Sequence, residues 1–238
     1  MNLTIDIGNT LAKLILFDGS EPIHEEILPK DLHEVLERIT AQYQPERCAW
    51  CNVSGNDAEI EKALTILPCP VTHLVGTTEV PITVCYKTRN TLGADRLAAV
   101  LGATTLYPNT DLLVIDAGTC ITYDFVDAKG NYLGGNISPG VDMRFKALHH
   151  YTARLPKIEA EGELPEMGLN TETAIRCGVI RGLTYEIEGY AHDLKMRYPN
   201  LRVFFTGGSN FSFSQPFCDQ LLTDPYLVAR GLNRLLNI

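Results

Sequence analysis

Two short stretches of the chain combine a carboxylate, a glycine and a threonine in the same order. The first is Asp6-Ile7-Gly8-Asn9-Thr10, and the second is Asp116-Ala117-Gly118-Thr119. Each aspartate ends an apolar run and a second β-rich run follows the turn, which is the pattern of a β-hairpin. Glycine lets backbone N–H groups close on an anionic oxygen at such a turn. Because a carboxylate repels phosphate, we expect a cation or a water molecule beside each aspartate.

Two hairpins of this type in one chain predict two similar lobes with a nucleotide between them. The junction is expected at Pro108-Asn109-Thr110-Asp111, because the second apolar run starts directly after it. We therefore predict one lobe over residues 1–108 and a second over residues 109–238. A chain of 238 residues is long enough for both.

The first half of the sequence predicts antiparallel strands followed by alternating helices and strands. The expected elements are strands at Leu3–Ile5, Lys13–Phe17, Cys48–Val53 and Val71–Val75, a further candidate strand at Pro22–Leu28, and helices at Asp31–Tyr43 and Asp57–Thr65. This β-β-β-α-β-α-β order is typical of a ribonuclease-H-like lobe and differs from a Rossmann alternation.

Asp95 and Arg96 stand where a helical pattern begins after Gly93. The helix dipole favours a carboxylate in the first turn of a helix. From these residues alone, an N-terminal charge with a surface ion pair explains Asp95 and Arg96 better than a catalytic role does.

The second half contains glycine clusters beside helices. Gly134 to Gly140 precedes a predicted helix over Val141–Tyr151 and either binds an anion or turns tightly against another backbone. A long helix is predicted after the N-cap signal at Asn170-Thr171. Its glycines suggest a close helix–helix contact, for which an oligomer interface is a candidate, and they are Gly178, Gly182 and Gly189. A strand over Leu201–Phe205 and a last helix over Asp224–Leu236 complete the expected elements.

Composition restricts the class of protein. The net charge of −9 and the absence of a Lys/Arg-rich run argue against a nucleic-acid-binding protein. No signal-peptide pattern opens the sequence and no apolar run is long enough to span a membrane, so we expect a cytoplasmic protein without a membrane partner. The seven cysteines, including the pair Cys48 and Cys51, are expected to be reduced and mostly buried.

Taken together, these motifs resemble the acetate and sugar kinase/heat-shock 70/actin superfamily and, within it, the type III pantothenate kinase family, once called the Bvg accessory factor family. The resemblance runs through nearly the whole chain. It is carried by Asp6 to Lys13, Tyr86, Leu92 to Arg96, Asp116 to Thr119 with Thr122 and Asp124, Gly135 to Gly140, Thr152 to Pro156, Asn170-Thr171 and Thr206-Gly207-Gly208. It implies an α/β fold of two ribonuclease-H-like (actin-like ATPase) lobes with mixed central sheets flanked by helices.

The family's activity implies ATP-dependent phosphorylation of pantothenate to 4'-phosphopantothenate, the first step of coenzyme A biosynthesis. The resemblance assigns the general base to Asp95. It places the pantothenate site at Tyr86, Gly93, Ala94, Asp95, Arg96 and Thr171, with Thr173 as an alternative alignment to Thr171. Arg96 would pair with either the pantothenate carboxylate or the phosphoryl group being transferred.

The same resemblance assigns the nucleotide and its cations. ATP phosphates would be bound by Asp6, Ile7, Gly8, Asn9, Thr10, Leu11, Ala12 and Lys13, with a further ATP contact from Thr119. Asp6 would hold Mg²⁺ through water, and Asp116 would bind a monovalent cation, K⁺ or NH₄⁺. The helix that carries Thr171 is expected to form a homodimer interface.

Two other activities remain possible, and the sequence differs from the family's usual pattern at two places. The rivals are another small-molecule kinase of the superfamily, acting on a sugar or a carboxylate, and an ATP-binding regulatory protein without catalysis. Cys120 stands where the family commonly has a small residue. The segment Ser209 to Phe213 replaces the usual continuation after Gly208, which leaves the adenine contacts undefined.

Overall fold

The computed structural model describes residues 1–27, 32–208 and 211–237. These residues form two compact units. The first contains the described residues of Met1–Asn109, Val126–Gly134 and Tyr226–Ile238, and the second contains those of Thr110–Phe125 and Gly135–Pro225. The division into lobes over 1–108 and 109–238 stays a prediction, and it differs from the compact units at residues 126–134 and 226–238.

The first unit is built on a five-stranded mixed sheet. Its elements are β1 (Asn2–Ile7), β2 (Ala12–Asp18), β3 (Glu21–Ile27), α1 (Leu32–Tyr43), β4 (Arg47–Asn52), α2 (Asp57–Leu64) and β5 (Val71–His73). The strand order is β3-β2-β1-β4-β5, antiparallel among the first three strands and parallel from β1 through β4 to β5. The predicted β-β-β-α-β-α-β order and the candidate third strand are confirmed. The predicted end of that strand at Leu28 and the predicted helix start at Asp31 lie outside the described residues.

Alternating apolar residues explain why β1 lies at the centre of this sheet. Leu3 and Ile5 are fully buried on one face, where they pack with Leu36 and Ile39 of α1. Trp50 of β4 joins the same core. The first unit continues with β6 (Thr83–Val84), a 3₁₀ turn over Arg89–Thr91, and α3 (Ala94–Leu106).

The second unit contains a second mixed sheet and the longest helix. Its elements are β7 (Leu112–Ala117), β8 (Cys120–Val126), the second half of β9 (Asn131–Pro139), α4 (Val141–His150), α5 (Thr171–Arg197), β10 (Arg202–Thr206), α6 (Gln215–Cys218) and β11 (Leu221–Thr223). The last residue of β8 and residues 131–134 of β9 belong to the first unit. The six strands of this sheet lie in the order β11-β10-β7-β8-β9-β6, and the core of the second unit lies between the sheet and α5. The predicted hairpin and long helix are confirmed. β9 continues as a strand through Gly134 to Pro139, where the glycine pattern predicted a turn.

The chain ends in α7 (Leu227–Leu235), which begins three residues later than the sequence predicted. A Cβ atom on Gly102 of α3 would lie 2.0 Å from the backbone oxygen of Leu227, and one on Gly231 of α7 would lie 1.9 Å from that of Ala98. The backbones of α3 and α7 therefore touch directly, which explains why this C-terminal helix belongs to the first unit. Within residues 1–27, 32–208 and 211–237, none of the helices combines the length and apolarity that crossing a membrane requires.

Candidate active site

The β1–β2 turn is closed by its own backbone. The Gly8 N–H donates to the Leu11 carbonyl at 2.9 Å, and a Cβ on Gly8 would lie 3.0 Å from that oxygen. A side chain at position 8 would therefore force the turn to widen. Asn9, Thr10 and Leu11 are exposed, so the tip of the turn is accessible to a ligand.

Asp6 lies at the end of β1, beside Cys51 of the parallel strand β4. The two residues are register partners, and the Cys51 thiol donates to Asp6 Oδ1 over 3.4 Å. Desolvation raises the pKa of Asp6 to about 6, and the negative charge of Asp95 adds to the rise, against the opposing effects of the Cys51 hydrogen bond and Lys13. Burial also raises the pKa of the Cys51 thiol, which is therefore protonated and able to donate.

Lys13 faces Asp6 across the antiparallel pair of β1 and β2. Its Nζ lies 3.8 Å from Glu25 Oε1 on β3, and both side chains are about one-third exposed. A partly exposed ion pair at this distance contributes little to stability, so the Lys13 ammonium can be redirected to a phosphate at low cost.

Asp95 occupies the first turn of α3, as the sequence predicted. Its Oδ1 accepts the N–H of Arg96 at 2.8 Å. A Cβ on Gly93, the residue at the N-cap position, would lie 2.5 Å from the same oxygen. Glycine at position 93 therefore leaves the space that the Asp95 carboxylate occupies.

Arg96 and Tyr86 also come together in the first unit. Arg96 is 5% exposed, and its guanidinium carbon lies 5.7 Å from the centroid of the Tyr86 ring. This distance is within the range of a cation–π contact. Three parts of the predicted site, the Asp6 turn, Asp95 and the Tyr86–Arg96 pair, thus belong to one compact unit, and the charges of Asp6 and Asp95 influence each other.

In the second unit, the turn after Asp116 is packed between two other glycine turns. A Cβ on Gly140 would lie 2.5 Å from the carbonyl oxygens of Gly118 and Thr119, and one on Gly207 would lie 2.5 Å from that of Ala117. The Gly140 N–H also donates to the Thr119 carbonyl at 3.1 Å. At position 140, the structure therefore supports tight packing against a backbone, one of the two roles considered for this glycine cluster.

Thr171 and Thr173 differ in availability at the start of α5. Thr173 is buried in a capping box with Asn170, whose Oδ1 accepts the Thr173 N–H at 2.9 Å. The Thr173 hydroxyl also accepts the N–H of Leu169 at 3.0 Å. Thr171 is exposed. The structure thus favours Thr171 over Thr173 as the residue able to contact a substrate.

The second unit carries an apolar groove on its surface. A groove of about 790 Å³ runs between α4 and α5, with Leu148, Ile175 and Val179 in its wall. Added Cβ atoms on Gly178, Gly182 and Gly189 would meet no atom within 4 Å. The predicted close helix–helix contact at these glycines is therefore not made within the described part of the chain.

Two neighbours of the candidate site residues were not identified from the sequence. Cys51 contacts Asp6, and Tyr132 stacks beside Tyr86. The apolar run Arg47 to Val53 predicted the strand that carries Cys51, but the register that places this thiol next to Asp6 is a property of strand pairing.

The fold is shared by proteins of known structure. A chain described as a conserved putative Baf family transcriptional activator from Campylobacter jejuni superposes with a TM-score of 0.65 at 24% identity, covering 99% of this chain and 97% of that one. A putative 2-dehydro-3-deoxygalactonokinase from Sinorhizobium meliloti gives 0.58 at 14% identity, covering 98% and 97%. The architecture is thus the α/β fold of actin-like ATPases and sugar kinases.

Sequence comparison narrows this class to one family. The family model described as type III pantothenate kinase matches residues 2–193. A type III pantothenate kinase from Bacteroides fragilis is 48% identical over 237 residues, which cover 100% of this chain and 98% of the relative. The chain belongs to the type III pantothenate kinase family, as the motifs indicated.

Proposed function

We propose that the protein transfers the γ-phosphoryl group of ATP to pantothenate and forms 4'-phosphopantothenate and ADP. The observation that carries this proposal is the pairing of Asp95 with the Asp6 turn in one compact unit of a chain from this family. In this reaction, the primary hydroxyl of pantothenate attacks the γ-phosphorus, its proton leaves, and the bond to ADP breaks. The activity would supply the first intermediate of coenzyme A biosynthesis.

Asp95 is the proposed general base. Its position after Gly93 leaves the carboxylate room at the helix N-terminus, where it accepts the backbone N–H of the buried Arg96. The carboxylate would accept the hydroxyl proton as the oxygen attacks. Gly93, Ala94, Arg96 and Tyr86 are the proposed pantothenate contacts of the first unit, and Thr171 is that of the second.

The residues of the first turn fit a hydrated magnesium ion with ATP. A carboxylate whose charged form is disfavoured by desolvation, as that of Asp6 is, gains most from a cation nearby. Mg²⁺ keeps several water ligands and needs few protein carboxylates, so Asp6 alone can hold it through water. Such an ion would neutralise the charge that develops on the phosphate oxygens. The exposed tip residues Asn9 and Thr10 would bind the phosphates, with Ile7, Gly8, Leu11, Ala12 and Lys13 completing the loop.

The second unit contributes the other proposed cation and ATP contacts. Asp116 would bind a monovalent cation, K⁺ or NH₄⁺, and Thr119 would contact ATP. The tight packing of this turn by Gly140 and Gly207 supports the assignment, because a weakly held monovalent ion needs ligands that are already in place.

We further propose a homodimer formed through the apolar face of α4 and α5. The large side chains exposed on the second unit include Tyr151, Met167, Leu169 and Tyr185. Large exposed apolar side chains near an apolar groove are typical of an interface. The protein is expected to act in the cytoplasm without nucleic acid, in agreement with seven free cysteines and a net charge of −9.

The proposal is tested by pantothenate-dependent release of ADP, measured with K⁺ and with Na⁺. We expect turnover that requires pantothenate, with little release when sugars or acetate replace it. Asp95→Asn, which keeps the size and removes the base, is expected to lower kcat by roughly 10²–10⁴-fold.

Four outcomes would contradict parts of the proposal. Release of ADP without dependence on pantothenate would exclude the kinase activity, and dependence on a sugar instead would favour another kinase of the superfamily. Near-normal turnover of Asp95→Asn would remove the base assignment. A monomer in sedimentation at the working concentration would contradict the proposed homodimer.

A further inference from the structure

The β8–β9 hairpin brings a segment distant in sequence to the side of Tyr86. β6 pairs in parallel with the first residues of β9, with Val84 opposite Tyr132. The next hydrogen bond runs from the Cys85 N–H to the Tyr132 carbonyl at 2.9 Å. Backbone pairing therefore fixes the position of residue 86 relative to residue 132.

The side chains of these two residues also lie side by side. The rings of Tyr86 and Tyr132 are nearly parallel, with an angle of 6° and centroids 6.4 Å apart. Tyr132 is completely buried, whereas Tyr86 is partly exposed. The buried ring therefore forms a fixed wall beside the accessible one.

Gly134 borders the same ring. A Cβ at this position would lie 3.8 Å from Tyr86 Cδ2, and its φ of +116° is a conformation that other residues adopt only with strain. A side chain at position 134 would therefore strain the backbone of the strand directly beside Tyr86, and its Cβ would contact the Tyr86 ring.

Tyr86 in turn contacts the guanidinium of Arg96, the residue that follows the proposed base in the sequence. A guanidinium is planar, and an aromatic face beside it restricts the directions in which its N–H groups point. The direction of Arg96 therefore depends on the position of the Tyr86 ring.

We propose that Tyr132 and Gly134 are positioning residues for the phosphoryl acceptor: they hold the Tyr86 ring, and through it the Arg96 guanidinium, in the orientation that binds the acceptor's anionic group. This inference rests on the proposed function, in which Tyr86 and Arg96 contact pantothenate. It adds the β8–β9 hairpin to the elements that determine acceptor affinity. ATP affinity is not expected to depend on these two residues.

Tyr132→Leu tests the role of the buried ring. We expect KM for pantothenate to rise about three- to tenfold, the scale of one cation–π contact, while KM for ATP stays within twofold. Calorimetric binding of pantothenate alone should weaken by the same factor. Tyr132→Phe, which keeps the ring, should restore both values. Phe17→Leu is the matched control, because Phe17 is an equally buried aromatic residue of the first unit outside this contact. It should lower Tm without separating the two KM values.

Gly134→Ala provides a second test that does not disturb the core. Gly130 lies in the same hairpin with φ of +78° and no atom within 4 Å of its Cβ position, so Gly130→Ala introduces backbone strain without touching Tyr86. We expect weaker pantothenate binding for Gly134→Ala alone. Equal KM changes for both substrates, a Tyr132→Phe variant as impaired as Tyr132→Leu, or equal effects at positions 130 and 134 would overturn the inference. A wild-type protein that binds no pantothenate would instead overturn the proposed function.

Discussion

The two strand–turn–strand hairpins differ in what the neighbouring parallel strand places beside the aspartate. Beside Asp6, β4 places Cys51, whose thiol donates to the carboxylate. Beside Asp116, β10 places Thr206, whose hydroxyl donates instead to the backbone carbonyl of Asp224 at 3.2 Å. The same backbone motif therefore gives two different carboxylate environments.

The two turns share a closing hydrogen bond but differ in what packs against them. The Gly8 N–H donates to the Leu11 carbonyl, the Gly118 N–H donates to the Cys120 carbonyl at 3.0 Å, and both turns have exposed residues at the tip. The backbone of the second turn is in addition packed against Gly140 and Gly207 of its unit. This packing agrees with the proposal of a preformed cation site in the second unit. The duplicated motif thus provides a scaffold, and the surrounding residues provide the chemistry.

The largest effect is expected from removing the charge of Asp6. Asp6→Asn should lower kcat/KM for ATP by roughly 10²–10³-fold, the scale of one preorganised electrostatic contact with a transition state. The same variant should be more stable than the wild type at neutral pH. Because burial raises the Asp6 pKa from 3.8 to about 6, its charged form costs up to about 3 kcal/mol of folding free energy.

The direction of the Asp6 pKa shift determines how stability changes with pH. A carboxyl whose folded-state pKa is raised destabilises the fold fully above about pH 6, and the cost disappears as the pH falls toward 3.8. Urea unfolding at pH 7.5 and at pH 4 should therefore show a gain for Asp6→Asn only at the higher pH. A loss of stability for Asp6→Asn at pH 7.5, or an equal gain at both pH values, would contradict this effect of burial.

The sequence was sufficient where the determinants of structure are local. Apolar alternation and the glycine turns predicted both hairpins, and a helical pattern after Gly93 predicted the start of α3 and the position of Asp95. The three-residue strand β11 was missed because its apolar pattern is too short to distinguish from a loop.

Contacts that depend on strand register could not be predicted in the same way. Cys51 and Asp6 are 45 positions apart, and only the parallel pairing of β1 and β4 joins them. Tyr132 reaches Tyr86 by a similar pairing of β6 with β9. The surface of α5 shows a further limit. Its glycines predicted a close helix contact, yet within the described chain they face open space, because a sequence pattern does not specify which chain supplies the partner.

The second turn is tested by its proposed cation. Asp116→Ala should remove the difference between assays in K⁺ and in Na⁺, a difference expected to be roughly fivefold to tenfold, on the order of 1 kcal/mol of transition-state stabilisation. Asp6→Asn should retain that ratio in its residual activity, because its carboxylate belongs to the other turn. Initial rates across a K⁺ titration measure the response of both variants. An unchanged K⁺ response in Asp116→Ala would contradict the assignment of the cation to this turn.

The smallest effect is expected from the thiol that distinguishes the first turn. Cys51→Ala removes a hydrogen bond to the charged carboxylate, which should reduce kcat/KM for ATP by roughly threefold to tenfold. Because this bond opposes the effect of desolvation, its loss should move the acidic limb of the pH profile, expected near pH 6, to higher pH. Cys51→Ser keeps a donor and should leave the limb near its original position.

Cys48→Ala separates this role from simple packing. Cys48 lies on the same strand and is as completely buried as Cys51, but it packs in the core beside β1 rather than against Asp6. Both alanine variants lose a buried thiol and should lose similar stability, whereas only Cys51→Ala should shift the acidic limb. If the two variants shift the acidic limb equally, Cys51 acts through packing in the core, and its hydrogen bond to Asp6 does not set the pH dependence of the first turn.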